Sequence, residues 1–338
     1  MRFFPSSLMT LAVMVGAVEP RVANSSEVLP QWAAQAIAES RQLGAQKKWN
    51  EAVISLRKIH QSHPESFEVA VEFSKALVYL GRREESLSVL QQLIAKSSGS
   101  IRAQATRRAR VMARLFMTQA VSQIYQDGLL LANQRKYKLA REKFGKALDA
   151  EADNAEVLLR LGQCLYLDGD VDSASERLKA AKKLSPYEPQ IRLWLGRVML
   201  DRGELEAGLQ EVKSAYEELP RSELATVWYA AGLAQSGKAD EAVRVLESDV
   251  KKNPMHLHSL VSSARTLLSS TPTSESQKIW EIRKKLQVAL SRMPEYVKSD
   301  PDGSEGEMGL DLRDPERLRS EVDLMLETVE ARLGRFSR

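Results

Sequence analysis

Between residues 155 and 188 the apolar positions fall into two short stripes, each spaced for a helix. Leu158, Leu161, Gly162 and Leu165 lie three and four apart, so on an α-helix they share one face. Val171, Ala174, Leu178 and Ala181 repeat that spacing further on. Gly169 stands between the stripes, where a left-handed residue can end the first helix in a tight turn. Pro186 follows the second stripe and resets the chain, because the residue before a proline avoids helical geometry. The segment predicts two antiparallel helices joined by a short turn.

The same pattern recurs with a period of 34 residues: 155–188, 189–222 and 223–256 align without gaps. Gly169, Gly203 and Gly237 keep register, as do Pro186, Pro220 and Pro254. Residues 121–154 fit one unit upstream, with Gly128, Tyr137, Ala140, Phe144 and Ala147 in the matching places. Two weaker units precede them within residues 30–100, beginning at Ala33 and Phe67. Two helices cannot bury both apolar faces by themselves, so successive units must stack.

The remaining segments follow from the breaks in register. Residues 101–120 lack Gly and Pro and read as a basic connecting helix that continues into the next unit, with Arg107, Arg110 and Arg114 on one face. Residues 257–297 read as a degenerate further unit, and 298–313 as a flexible acidic linker. Asp314 is placed to cap a final amphipathic helix over 314–335, whose stripe of Leu318, Val322, Met325 and Val329 suits it to cap the array.

Composition agrees with this plan. Only 17 Gly and 12 Pro occur, good helix formers recur throughout, and no alternating strand pattern is found. The formal charge of +4 is unevenly spread: 86–126 holds no acidic residue, while the C-terminal region is acidic. At the N-terminus, Met1 and Arg2 precede the uncharged apolar run "FFPSSLMTLAVMVGAV", with small residues near Ala17. Residues 1–17 therefore read as a secretory signal peptide, and the protein as exported, periplasmic or secreted; without that signal it would be cytoplasmic. No other run is long and apolar enough to span a bilayer.

A search for chemistry yields no catalytic constellation. His256 and His258 are two apart and His60 and His63 lie elsewhere, so neither metal nor cofactor is expected. The acidic "DGDVD" at 168–172 lacks the glycine and the closing glutamate of a calcium loop. Cys164, the sole cysteine, can form no intramolecular disulfide and reads as a packed helix residue.

The 34-residue unit, with small residues at positions 8 and 20, resembles the tetratricopeptide repeat family. Its departure is position 4, where the family often has Trp and this chain has Ile124, Leu158, Arg192 and Thr226. The resemblance implies an all-α, right-handed superhelical solenoid of antiparallel helix pairs and a non-enzymatic binding module. It further implies a concave groove, lined by the first helices, for a peptide or partner helix. Carried onto this sequence, the groove comprises Tyr125, Gln126, Glu156, Arg160, Gln163 and Tyr166, then Gln190, Trp194, Arg197, Asp201, Trp228 and Gln235. Trp194 and Trp228 both sit at position 6, roughly 200° round the helix from position 4, and are expected to project into the groove. A protein or peptide is the expected partner. The alternative is self-association or complex assembly through the acidic C-terminal helix or the Arg-rich helix. Nucleic acid or anionic membrane, met by the basic helix, is the outlying reading.

Overall fold

The computed structural model describes residues 30–299 and 315–334. Regular structure among the described residues is entirely helical. The helices are α1 (Gln31–Ala45), α2 (Trp49–Ser62), α3 (Phe67–Tyr79), α4 (Arg83–Lys96), α5 (Gly99–Arg114), α6 (Gln119–Asn133), α7 (Tyr137–Ala150) and α8 (Ala155–Leu167). They continue as α9 (Val171–Leu184), α10 (Pro189–Asp201), α11 (Leu205–Glu218), α12 (Glu223–Gln235), α13 (Ala239–Lys252), α14 (Leu257–Ser270), α15 (Ser276–Ser299) and α16 (Pro315–Leu333). The signal peptide read at 1–17, the Asp314 cap and most of the acidic linker lie outside the described residues.

Each repeat closes its first helix in the same way. The fifteenth residue of all six units is left-handed: Lys47, Gly81, Arg135, Gly169, Gly203 and Gly237, with φ between 58° and 89°. The next residue donates its N–H to the carbonyl five positions back at 2.9 Å, as Asp170 does to Leu165 and Lys238 to Leu233. This is the Schellman closure, and it turns the chain back on itself. Two units make it without glycine, at Lys47 and Arg135.

The small residues at positions 8 and 20 set how closely paired helices approach. A Cβ on Gly196 would lie 2.7 Å from Val212 Cγ1, and one on Gly208 only 2.9 Å from the Leu200 nitrogen. At Gly128 the ring of Phe144 occupies the space, 2.6 Å from where a Cβ would stand. Neighbouring α10 and α11 therefore pack backbone to backbone.

The described residues form two compact units. The first comprises 30–130, 138–164 and 176–188, and the second 131–137, 165–175, 189–299 and 315–334. In the first, α1 to α5 pack successively. Their anchor is Arg83, which is fully buried at the start of α4. Its guanidinium donates to Glu151 Oε2 and Asp153 Oδ1, each at 2.8 Å, and to the Leu115 carbonyl. Glu151 in turn accepts the Met117 and Thr118 N–H groups at 2.8 and 3.2 Å.

This node corrects one expectation. The basic helix does not run on into α6 but stops at Arg114, and residues 115–118 are irregular. Buried side chains from elsewhere satisfy the Leu115 carbonyl and the Met117 and Thr118 N–H groups, so breaking the helix does not strand them. Arg110 and Arg114 also turn inward. Arg110 Nε donates to the Tyr187 carbonyl at 2.7 Å, and Arg114 pairs with Glu156 at 2.6 Å and Glu188 at 3.6 Å.

In the second unit, α14, α15 and α16 share one apolar cluster. Leu260, Val261 and Ala264 meet Ile282, Leu286 and Ala289, with Leu318, Val322, Met325 and Val329 of α16. The end of α15 also departs from the sequence reading. It continues through Pro294 to Ser299, so the first two residues assigned to the linker, Lys298 and Ser299, are helical. A proline there removes one backbone donor but does not end the helix.

Candidate functional site: a cleft on the first helices of the second unit

The residues read as groove-lining divide between the two units. In the first unit, Tyr125, Glu156, Arg160 and Gln163 form a closed polar network. Tyr125 Oη donates to Glu156 Oε1 at 2.8 Å, Arg160 Nε donates to the same oxygen at 2.9 Å, and Arg160 Nη1 donates to Gln163 Oε1 at 3.2 Å. All four are buried. Burial alone would raise the Glu156 carboxyl, but Arg160, Arg114 and the Tyr125 hydroxyl outweigh it and hold it below the ordinary carboxylate range. Burial drives the Tyr125 phenol well above its usual value, with the Glu156 charge adding to the effect.

These four residues therefore do not line an open surface. Every residue from Asn154 to Cys164 is buried, although a first helix with an open groove would leave one face wet. Arg114 of α5 reaches Glu156, so the inserted helix takes part in covering this face. Gln126, by contrast, is exposed.

In the second unit, Tyr166, Arg197 and Asp201 form a small hydrogen-bonded triangle. Tyr166 Oη donates to Asp201 Oδ2 at 2.7 Å, Arg197 Nε donates to Tyr166 Oη at 3.0 Å, and Arg197 Nη2 meets Asp201 Oδ1 at 2.8 Å. Burial raises the Tyr166 phenol. Gln190 is partly buried and Gln235 exposed.

The two tryptophans correct the sequence reading. Trp194 is 1% exposed and Trp228 8% exposed. Their rings meet edge to face at 4.8 Å, and Tyr166 adds a second edge contact to Trp194 at 5.9 Å. Position 6 meets position 6 of the next repeat, and the two side chains bury each other.

The second unit holds a cleft of about 480 Å³ on α10, α12, α13 and α14. Arg197 contributes from α10, and Val227, Ala231, Ala234 and Gln235 from α12. Ser262, Arg265, Thr266 and Ser269 contribute from α14. Two of the predicted residues, Arg197 and Gln235, line it. Sequence reasoning missed the α14 side, where the register decays after His256 and the lining residues are mostly small. The available signal was the run of serines in "SLVSSARTLLSS", unusual on a helix that must bury one face. Arg265 is exposed and pairs with Glu321 of α16, its Nε lying 2.7 Å from Oε1.

No group of His, Cys, Asp and Glu fit to hold a metal is present among the described residues. Among them, too, no helix is long and apolar enough to cross a membrane. Cys164 is buried.

The repeats of the chain resemble those of known proteins. Family models of the tetratricopeptide repeat match residues 131–188 and 169–223. Residues 131–223 are thus built of tetratricopeptide repeats, a fold that indicates a protein–protein interaction scaffold. Among solved structures, MamA is 20% identical over 51% of this chain and 96% of its own, with a TM-score of 0.42. A tetratricopeptide repeat protein from Parabacteroides merdae ATCC 43184 is 14% identical over 87% of this chain and 100% of its own, with a TM-score of 0.41. YrrB, described as a TPR protein with an unusual peptide-binding site, is 18% identical over 61% of this chain and 95% of its own, with a TM-score of 0.36. No curated protein sequence matches.

Proposed function

We propose that the protein is an exported scaffold that holds a peptide or a partner helix in the cleft of its second unit. The observation that carries this is the cleft itself, a recess of about 480 Å³ walled by the first helices of successive repeats. Its walls include the small side chains Ala231, Ala234, Ser262 and Ser269, which let another backbone approach closely. Two arginines, Arg197 and Arg265, stand at its edge, and arginine is among the residue types enriched where binding energy concentrates. Export is supported by the uncharged apolar run after Met1 and Arg2.

The test is site-directed photocrosslinking in the producing cell. A photoreactive residue at Ser269, exposed on α14 in the cleft, should yield a protein adduct. The same residue at Ser320, exposed on α16, should not. Adducts at Ser320 alone would overturn the assignment. Edman sequencing of the mature protein from the envelope fraction tests export, with a start near residue 18 expected and an intact Met1 contradicting it.

A further inference from the structure

Two carboxylates of one helix pair, α12 and α13, converge on the first turn of α14, which opens the next unit. Glu223, the opening residue of α12, accepts the Ser259 backbone N–H at 3.1 Å. Asp249, near the end of α13, accepts the Ser259 hydroxyl at 2.6 Å. Asp249 also takes the Asn253 amide at 3.1 Å and lies 2.8 Å from His256 Nδ1. One serine is therefore held from both sides. The helices it links, α12 and α14, are the two main walls of the cleft.

The groups that bear on the Glu223 carboxylate are Asp249 from α13, His256 from the connecting loop, and the N–H groups of His258 and Ser259 on α14. Burial and the Asp249 charge both penalise a second negative charge here. Only His256 and the two backbone donors offset them. The balance pushes the Glu223 carboxyl up to about 7, whereas donors from His256 and Ser259 hold Asp249 below the ordinary carboxylate range against its own burial.

We propose that the joint between α12 and α14 is a proton-operated clamp: with Glu223 protonated the joint is tight, and with Glu223 ionised the two carboxylates repel, loosening the first turn of α14. Its effect on a bound partner rests on the reading of the cleft given above; the clamp itself does not. The sign follows from linkage. A carboxyl raised in the folded state contributes stability that is full below its ordinary value of 4.5 and is lost as the pH rises through about 7.

The test is amide hydrogen exchange in 254–263 of the full chain at pH 6 and pH 8, corrected for intrinsic rates, with no ligand present. From the two values, protection of this turn should fall about tenfold from pH 6 to pH 8. Glu223→Gln should hold it constant within about twofold, while His256→Gln should retain most of the fall. Unchanged protection in the wild type overturns the clamp, whether or not the variants fold. So does a full tenfold fall in Glu223→Gln. A pH-dependent turn with pH-independent partner binding would overturn only the link to the cleft.

Discussion

Trp194 and Trp228, thirty-four residues apart in sequence, meet edge to face with ring centroids 4.8 Å apart. The contact joins the first helices of two successive repeats, and it makes both rings part of the packing between repeats. Trp194→Ala should cost ~3–5 kcal/mol, the range for removing a buried Trp. Trp228→Phe, which keeps an aromatic edge in place, should cost less. Urea unfolding followed by circular dichroism checks both. A Trp194→Ala chain as stable as wild type would show that the rings do not hold the repeats together.

Close helix approach and helix propensity make opposite demands on glycine, and two positions separate them. Gly145 in α7 has nothing within 4 Å of a would-be Cβ, so Gly145→Ala should stabilise by roughly 0.5–1 kcal/mol. Gly208→Ala would place its Cβ 2.9 Å from the Leu200 nitrogen, and should destabilise by about 1–3 kcal/mol. Thermal unfolding of the two variants should move in opposite directions.

Arg83 links helix α4 to the loop before α8 through Glu151 and Asp153. Arg83→Met removes the guanidinium but leaves Glu151 buried and charged, which should cost ~3–5 kcal/mol. Proteolysis should then cut first between 115 and 118, where the Leu115 carbonyl keeps only the Asn154 amide at 3.3 Å as a donor. Native-state digestion with mass spectrometry reads the site directly.

The buried Glu156 network predicts acid sensitivity. Its carboxyl is depressed in the folded state, so its stabilising contribution is present above the ordinary value of about 4.5 and is lost as the pH falls through the folded value. The urea midpoint should drop as the pH falls below that ordinary value, and the drop should shrink in Glu156→Gln. It should not vanish, since Asp249 is depressed as well.

Much of this was legible from the chain because repetition multiplies weak signals. Gly169, Gly203 and Gly237 mark the turn at three places in register, and the same left-handed turn then accommodates Lys47 and Arg135. Gly196 and Gly208 announced the close pair α10–α11 by size alone. The direction of a side chain on a wheel did not announce what would cover it. Glu156 and Arg160 lie on the face expected to be open, and Arg114 from the inserted helix reaches that face. Trp194 also lies where the wheel places it, yet the equivalent Trp of the next repeat fills the space in front. Recurrence of Trp at one position in successive units is itself the sign of such stacking. Ser262 and Thr266, which wall the cleft, signalled it only through the unusual run of small polar residues at 259–270, since an empty space is made by residues too small to fill it.

The cleft between α12 and α14 is the proposed seat of a partner segment. The most direct measurement is the affinity of a peptide, selected from a display library on the wild-type chain, for wild type and for Ala231→Trp. The large ring would occupy the recess from its α12 wall. Ala231→Trp should lose at least about tenfold in affinity, equivalent to ~1.4 kcal/mol, with the same circular dichroism spectrum. Equal affinity in the two proteins would place the binding surface elsewhere and contradict the proposal.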